Sequence, residues 1–353
     1  MKDATMHDDR AKTAQAKTGQ TTTGQANVSQ GRNIPDRLTP GWRRSLKSWE
    51  ALLLVVAVAI FIFNSLASPY FLDPWNLSDA SFNFTEKAMI AFAMALLIIA
   101  GEIDLSVASI MALVSTVMGV AMVAGASTPV LVALGLGTGL LCGAFNGLLV
   151  AGFGLPSIVV TIGTMSLFRG ISYIVLGDGA FTGYPADFAF FGQGYVWWVI
   201  TFELVLFAGC AVAFALLLHG TSFGRMVFAI GNNATAARFS GIRVDRVRFI
   251  LFLLTGVMSA IAAICLTSRL DSTRPSIAQG FELEVVTMVV LGGVSILGGS
   301  GSIVGVVLAA LIMGLVTFGL GLLNVPGIVM SIIIGALLIG VIALPRLWTM
   351  ARR

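Results

Sequence analysis

The sequence predicts an all-α fold, a polytopic transmembrane helical bundle of about ten spans with both termini cytoplasmic. Three observations predict it. Hydrophobic residues make up 57% of the chain and charged residues only 11%, against roughly 25% charged in an average soluble domain. Apolar runs of helical length follow one another almost without pause after residue 50. The basic residues gather outside those runs, as they do on the inner side of a membrane.

Residues 1–49 read as a disordered cytoplasmic tail. They hold nine of the 21 lysines and arginines, scattered among Thr, Gln, Ala and Asp, and no apolar run that could fold alone. No aromatic residue occurs in the first 41 positions to stack bases, so the net charge of +4 is no sign of a nucleic-acid partner. The tail also lacks the short apolar segment of a cleaved signal peptide.

A bilayer core of roughly 30 Å takes about 20 apolar helical residues, or fewer where protein shelters the helix. The candidate spans are 50–68, 88–101, 104–124, 129–151, 156–176, 195–219, 249–268, 283–298, 301–322 and 326–344. The stretches 88–124 and 283–322 are broken by glycine and polar residues. Each reads as two short spans with a tight turn, or as one span with a re-entrant piece. Together, 50–344 form one transmembrane domain, with 345–353 a cytoplasmic C-terminus.

Loop 220–248 carries Arg225, Arg238, Arg243, Arg246 and Arg248 against one acid, Asp245. The N-terminal flank and the C-terminus are also basic, so all three are expected inside. Loops 69–87 and 177–194 are acidic and are expected outside. Both termini inside requires an even number of spans.

Glycines 135, 139, 143 and 147 recur every four residues, a ladder that lets two helix backbones approach closely. Ordinary packing and a moving or dimerising interface both fit it. Cys142, Cys210 and Cys265 lie in apolar runs at no metal or redox spacing. His7 and His219 lie in the tail and at a span end. No metal, cofactor or catalytic residue is expected.

Loop 220–248 is too regular for a plain connector. Asn232 or Asn233 can cap a helix that Gly241 ends. Ala234, Ala237 and Gly241 fall near one face, a surface suited to close docking into another protein, framed by arginines. An ordinary basic loop would look partly similar.

Intramembrane polar groups are candidates for translocation or gating. Glu102 and Asp104 sit between apolar runs, where Asp104 is also placed to cap a helix through the N–H of Ser106 or Val107. Asn146 and Thr161 can bond between helices or line a path. Arg169 wants a partner, water or a route to the interface. Glu203 lies near the outer end of its span and is expected to reach the interface. The outer loop carrying Arg269, Asp271, Arg274, Glu282 and Glu284 fits a protein contact or a solvated surface equally.

The pattern G-R-x-x-x-A-I-G-x-N-x-x-A-A-x-x-S-G-I, from Gly224 to Ile242, resembles the cytoplasmic loop of bacterial sugar-importer permeases. These are membrane subunits of ATP-binding-cassette importers for ribose, xylose, arabinose, galactose, rhamnose and autoinducer-2. Gly101–Val107 is similar to the family's G-G-I-D-L-S-V. Val290–Gly293 with Leu297–Gly305 is similar to its V-L-G-G-x-x-x-x-G-G-x-G-x-x-x-G. Glu102 departs from the pattern, which usually has glycine there. Within the family the chain looks closest to rhamnose permeases, with autoinducer-2 permeases near them.

The resemblance implies several partners. They are a cytoplasmic ATPase, a periplasmic sugar-binding protein, and a second permease copy or paralogue, all at the bacterial inner membrane. It implies ATPase coupling through Gly231, Asn233, Ala236, Ala237, Arg238, Ser240 and Gly241. The chain itself has no G-x-x-x-x-G-K-[ST] sequence: Gly298–Ser302 lacks the lysine that would reach the phosphates. An ion-coupled secondary transporter would instead carry its coupling in buried acids. An intramembrane enzyme would need a clustered nucleophile and base, which the sequence does not offer.

Overall fold

The computed structural model of the chain describes residues 49–330 and, beyond them, 332, 333, 335, 336 and 339. The expected tail up to residue 48, the C-terminus 345–353 and about half of the expected span 326–344 lie outside the described residues.

Helix α1 (Trp49–Ala67) shows lipid an apolar surface and buries Leu53, Ala57 and Asn64. Its Trp49 Nε1 donates to Leu291 O at 2.8 Å, and Asn64 Nδ2 donates to Leu315 O at 2.8 Å. The loop expected at 69–87 contains a helix, α2 (Pro74–Ser81), started by Pro74 and capped by Asp73, whose carboxylate accepts from Trp75 N and Asn76 N. A 41° bend leads into α3 (Thr85–Ile99), in which every residue but Lys87 is buried. Gly101, at φ +86°, turns the chain out of α3. After a break, α4 (Val107–Val123) begins.

Helix α5 (Thr128–Gly147) ends in a π-helical turn to Gly152, and α6 is Ser157–Leu176. A strand β1 (Phe181–Thr182), a short α7 (Phe190–Gln193) and a hairpin of β2 (Tyr195–Trp197) and β3 (Ile200–Thr201) follow. The expected span 195–219 therefore starts later, as α8 (Phe202–Ala215) with a π-helical end to Gly220. Next come α9 (Ser222–Asn232), α10 (Ala234–Phe239) and the long α11 (Val244–Leu270). Strand β4 (Ser272–Thr273) pairs antiparallel with β1, and α12 (Phe281–Leu291) and α13 (Ile303–Leu322) complete the chain of named elements.

Among the described residues six helices are long and apolar enough to cross a membrane: α1, α6, α11, α13, and α5 and α8 with their π-helical ends. The bent α2–α3 pair makes a seventh. The 17 residues of α4 are apolar but shorter. The 11 residues of α12 rise only about 16 Å, half of a ~30 Å core. The expected span 283–298 is thus a half-helix that stops at Gly292 and Gly293.

The glycine ladder packs within the chain. A β-carbon at Gly139, Gly143 or Gly256 would overlap backbone across the α5–α11 seam, and Gly147 faces Phe249. Small residues let these two helices touch at their backbones, where lipid supplies no hydrophobic drive for association. The centre of the bundle is α3, wrapped by α8, α11, α12 and α13.

Candidate functional site

The loop 220–248 folds as two helices. Thr221 caps α9 by accepting from Gly224 N, and Asn233 caps α10 by accepting from Ala236 N at 2.9 Å. Gly241, at φ +86°, ends α10 in the left-handed conformation that glycine adopts without strain. Arg238 ties the end of α10 to the start of α11 through Asp245 at 2.6 Å, an exposed pair.

The structure corrects which face of α10 is free. Ala237 is buried and Ala234 half-buried against the membrane body, so these small residues seat the helix on its own chain. Thr235, Ala236, Arg238, Phe239 and Ser240 face out, and Phe239 is 89% exposed. Gly231 is also internal: a β-carbon there would overlap the carbonyl oxygen of Ile99 and come within 2.5 Å of Gly299 N.

That contact belongs to a knot under the loop. Gly299 N donates to Ile99 O at 2.9 Å, and Asn232 Nδ2 approaches Gly299 O at 3.3 Å. Three sequence motifs therefore meet at one place: the end of α3 before Gly101, the glycine turn at 298–299, and Gly231–Asn232. Glu102 joins them from the side. Its Oε1 lies 2.9 Å from Nε of Arg248 in the first turns of α11.

Deeper in, Asp104 is fully buried. Its Oδ1 accepts from Ser106 N at 2.9 Å and Ser106 Oγ at 2.6 Å, and its Oδ2 from Thr255 Oγ1 at 3.2 Å. Asn146 Nδ2 donates to the same Ser106 hydroxyl at 2.8 Å, while its Oδ1 has no partner. No ion pair among the described residues includes Asp104. Thr255 lies about 16 Å along α11 from its first residue, so this carboxyl is held within the bilayer. Thr161 hydrogen-bonds mainly to its own helix, donating to Ser157 O at 2.8 Å, and lies 3.4 Å from Ile103 O.

Glu102, Asp104, Asn146 and Thr161 thus gather around the break between α3 and α4. Arg169 does not. It lies at the far end of the bundle and donates to the carbonyls of Pro275 and Ile277 at 2.6 and 2.7 Å. Glu203 is fully buried instead of reaching the interface. Its Oε2 accepts from Thr85 Oγ1 at 2.8 Å, because α2 folds over it: Ser78 Oγ donates to Val199 O, and Ser81 Oγ meets Thr201 Oγ1.

Sequence reasoning did not pick out Thr255, placed Arg248 only among the loop's basic residues and Arg269 only in the outer loop, and missed the pairing of Arg269 with buried Glu86, whose two contacts are 2.9 and 3.0 Å. Arg248 carried one signal, as the basic residue nearest an apolar span. Thr255 carried none beyond being a hydroxyl in an apolar run.

The family described as "Branched-chain amino acid transport system / permease component" matches residues 76–342. The chain is 35% identical over 262 residues to the ribose import permease protein RbsC of Bacillus subtilis, covering 74% of this chain and 81% of that one. It is 37% identical over 285 residues to the autoinducer 2 import system permease protein LsrD of Yersinia enterocolitica, covering 79% and 84%. It is 37% identical over 265 residues to the L-arabinose transport system permease protein AraH of Escherichia coli, covering 75% and 80%. No solved structure matches the chain. The chain belongs to this permease family and is a multi-pass protein of the inner membrane.

Proposed function

We propose that this permease is the membrane-spanning subunit of an ATP-powered importer of a small monosaccharide. A separate cytoplasmic ATPase docks on the exposed face of α10, and a periplasmic binding protein delivers the sugar. A second permease copy or paralogue completes the pathway. A rhamnose-like deoxysugar or a pentose is the favoured cargo; the three relatives above are named for ribose, autoinducer 2 and L-arabinose.

The knot of three motifs is the observation that carries this reading. An exposed, capped helix rests on a backbone contact that runs directly into the end of the central helix α3. Pushing on α10 therefore moves Ile99 and, through Glu102 and Arg248, the start of α11. Coupling residues divide into two kinds here. Ala236, Arg238 and Ser240 face a partner, while Gly231, Asn233, Ala237 and Gly241 set the position and shape of α10.

Ala236→Arg places a long side chain on the exposed face without disturbing the buried one. It is expected to abolish uptake of radiolabelled ribose, L-arabinose or rhamnose while the permease stays inserted. Unchanged uptake of whichever sugar the wild type imports would overturn the docking role.

Ion coupling is the second reading, and Asp104 favours it: a fully buried carboxyl without a cationic partner is where a coupling ion or proton would bind. Uptake that survives deletion of the ATPase and collapses with an uncoupler would select this reading.

A further inference from the structure

The far end of α11 opens into a cavity of about 420 Å³, lined by Arg269, Ser272, Arg274, Ser276, Gln279 and Phe281 with a few aliphatic neighbours. Its size is within the ~300–1,000 Å³ of small-molecule sites. Helix α11 begins beside α10 and its 27 residues rise about 40 Å, more than a ~30 Å hydrocarbon core. The cavity is therefore on the side of the membrane opposite the docking loop.

The walls of the cavity are fixed. Arg169 holds the loop from α6 through two carbonyls, Pro275 and Ile277. Strand β4 is paired to β1, and Thr273 is bonded to Ser115 and to the hydroxyl of Tyr184. Asp271 Oδ1 accepts from Tyr184 N at 3.0 Å. Within this clamp Asp271 and Ala278 hold φ of +46° and +56°, a conformation that side chains resist.

The polar groups on the walls are not used up by the fold. Arg269 is committed to Glu86, and Lys87 stands 4.6 Å over the ring of Phe281. Arg274, however, spends only its Nε, on Ser272 Oγ at 3.3 Å. Ser276 and Gln279 are exposed, and beyond the backbone bond from Gln279 N to Ser276 O no hydrogen bond of either side chain appears among the described residues. Free guanidinium N–H groups, a hydroxyl and a primary amide offer donors and acceptors together. Hydroxyl-rich solutes, whose groups both donate and accept, match that mixture.

We infer that this cavity is a reception site for the transported sugar. Arg274, Ser276 and Gln279 hydrogen-bond it, and Arg169 positions their loop. The inference rests on the importer reading above and adds the place where the substrate first meets the permease.

Gln279→Cys in the intact transporter, reconstituted in proteoliposomes with the cavity side outward, provides the test. The native cysteines are buried or half-buried and give little background. A membrane-impermeant maleimide added outside labels position 279. Ribose, L-arabinose or rhamnose, added without binding protein, is expected to slow that labelling, about tenfold at nine-tenths occupancy. Adding Arg274→Ala is expected to remove the protection while leaving labelling itself unchanged. Arg169→Ala is expected to weaken protection, and Arg169→Lys to restore it in part.

The inference falls if none of the three sugars protects. It also falls if sugar-free binding protein alone protects, which would make the loop a protein-docking surface. Protection by ribose 5-phosphate but by no neutral sugar would overturn the chemical class. Uptake of the same sugars with and without the ATPase separates the two claims. ATPase-dependent uptake without protection removes the cavity and leaves the importer; protection with ATPase-independent uptake does the reverse.

Discussion

The first half of α11 lies against α5 through Gly139, Gly143, Gly147 and Gly256, backbone on backbone. Its last turn is held by the guanidinium of Arg269 on Glu86 and by Ser268 Oγ, which donates to Phe188 O at 2.6 Å. Glycine contacts have no side chain to rotate, so the half of α11 next to loop 220–248 is seated rigidly on α5. Ion pairs and hydroxyl bonds at the far end leave room for groups that face water. One helix thus joins the part proposed to transmit force to the part proposed to recognise the sugar.

Breaking the seam has the largest expected effect. Gly256→Leu would drive a side chain into the backbone of Gly139 and Gly143, far beyond the 1–3 kcal/mol typical of mild overpacking. No folded permease is expected by size-exclusion chromatography in detergent; a normal elution profile would show that the seam yields. Breaking the far end costs less. Arg269→Met leaves the Glu86 carboxyl, 1% exposed, without its guanidinium. A loss of about 3–5 kcal/mol is expected from such an orphaned buried charge, read as a lower thermal midpoint. A shift no larger than that of an exposed pair would mean that the far end is not held by charge.

The Glu102–Arg248 pair sharpens the comparison with the smallest effect. Arg248 is 25% exposed and its Nε–H makes no aligned hydrogen bond, so the pair is an attraction of charges more than a bond. A double-mutant cycle with Glu102→Gln and Arg248→Met is expected to give about 1 kcal/mol of coupling in stability. A coupling of zero would detach Glu102 from α11, and would leave the backbone knot as the link from the loop to the end of α3.

Much of this was legible in the sequence where the cause is local. Gly101 and Asp104 marked the break after α3, Asn232 or Asn233 and Gly241 bounded α10, and the four-residue glycine spacing marked a close helix contact. What was not legible depends on distant residues. The burial of Glu203 follows from α2 folding across a 41° bend, so a position near a span end did not mean exposure. The inward turn of Ala237 follows from where α10 lands on the bundle; its periodicity gave a small face but not what that face touches. Glu102 had no visible partner because Arg248 is 146 residues away.

Helix α3 has a consequence for how the protein is made. Its 15 residues rise about 22 Å, too little to cross the bilayer alone, and nearly all of its surface is covered by protein. The helices that cover it, α8, α11, α12 and α13, are all synthesised later. A nascent chain released at residue 200 would hold α3 with Glu86 and Lys87 at its start and neither Arg269 nor Glu284 yet available. Helix α3 thus waits for neighbours made after it, so insertion is expected to proceed before the centre closes, and a chain truncated ahead of α11 would leave Glu86 and Lys87 without these partners.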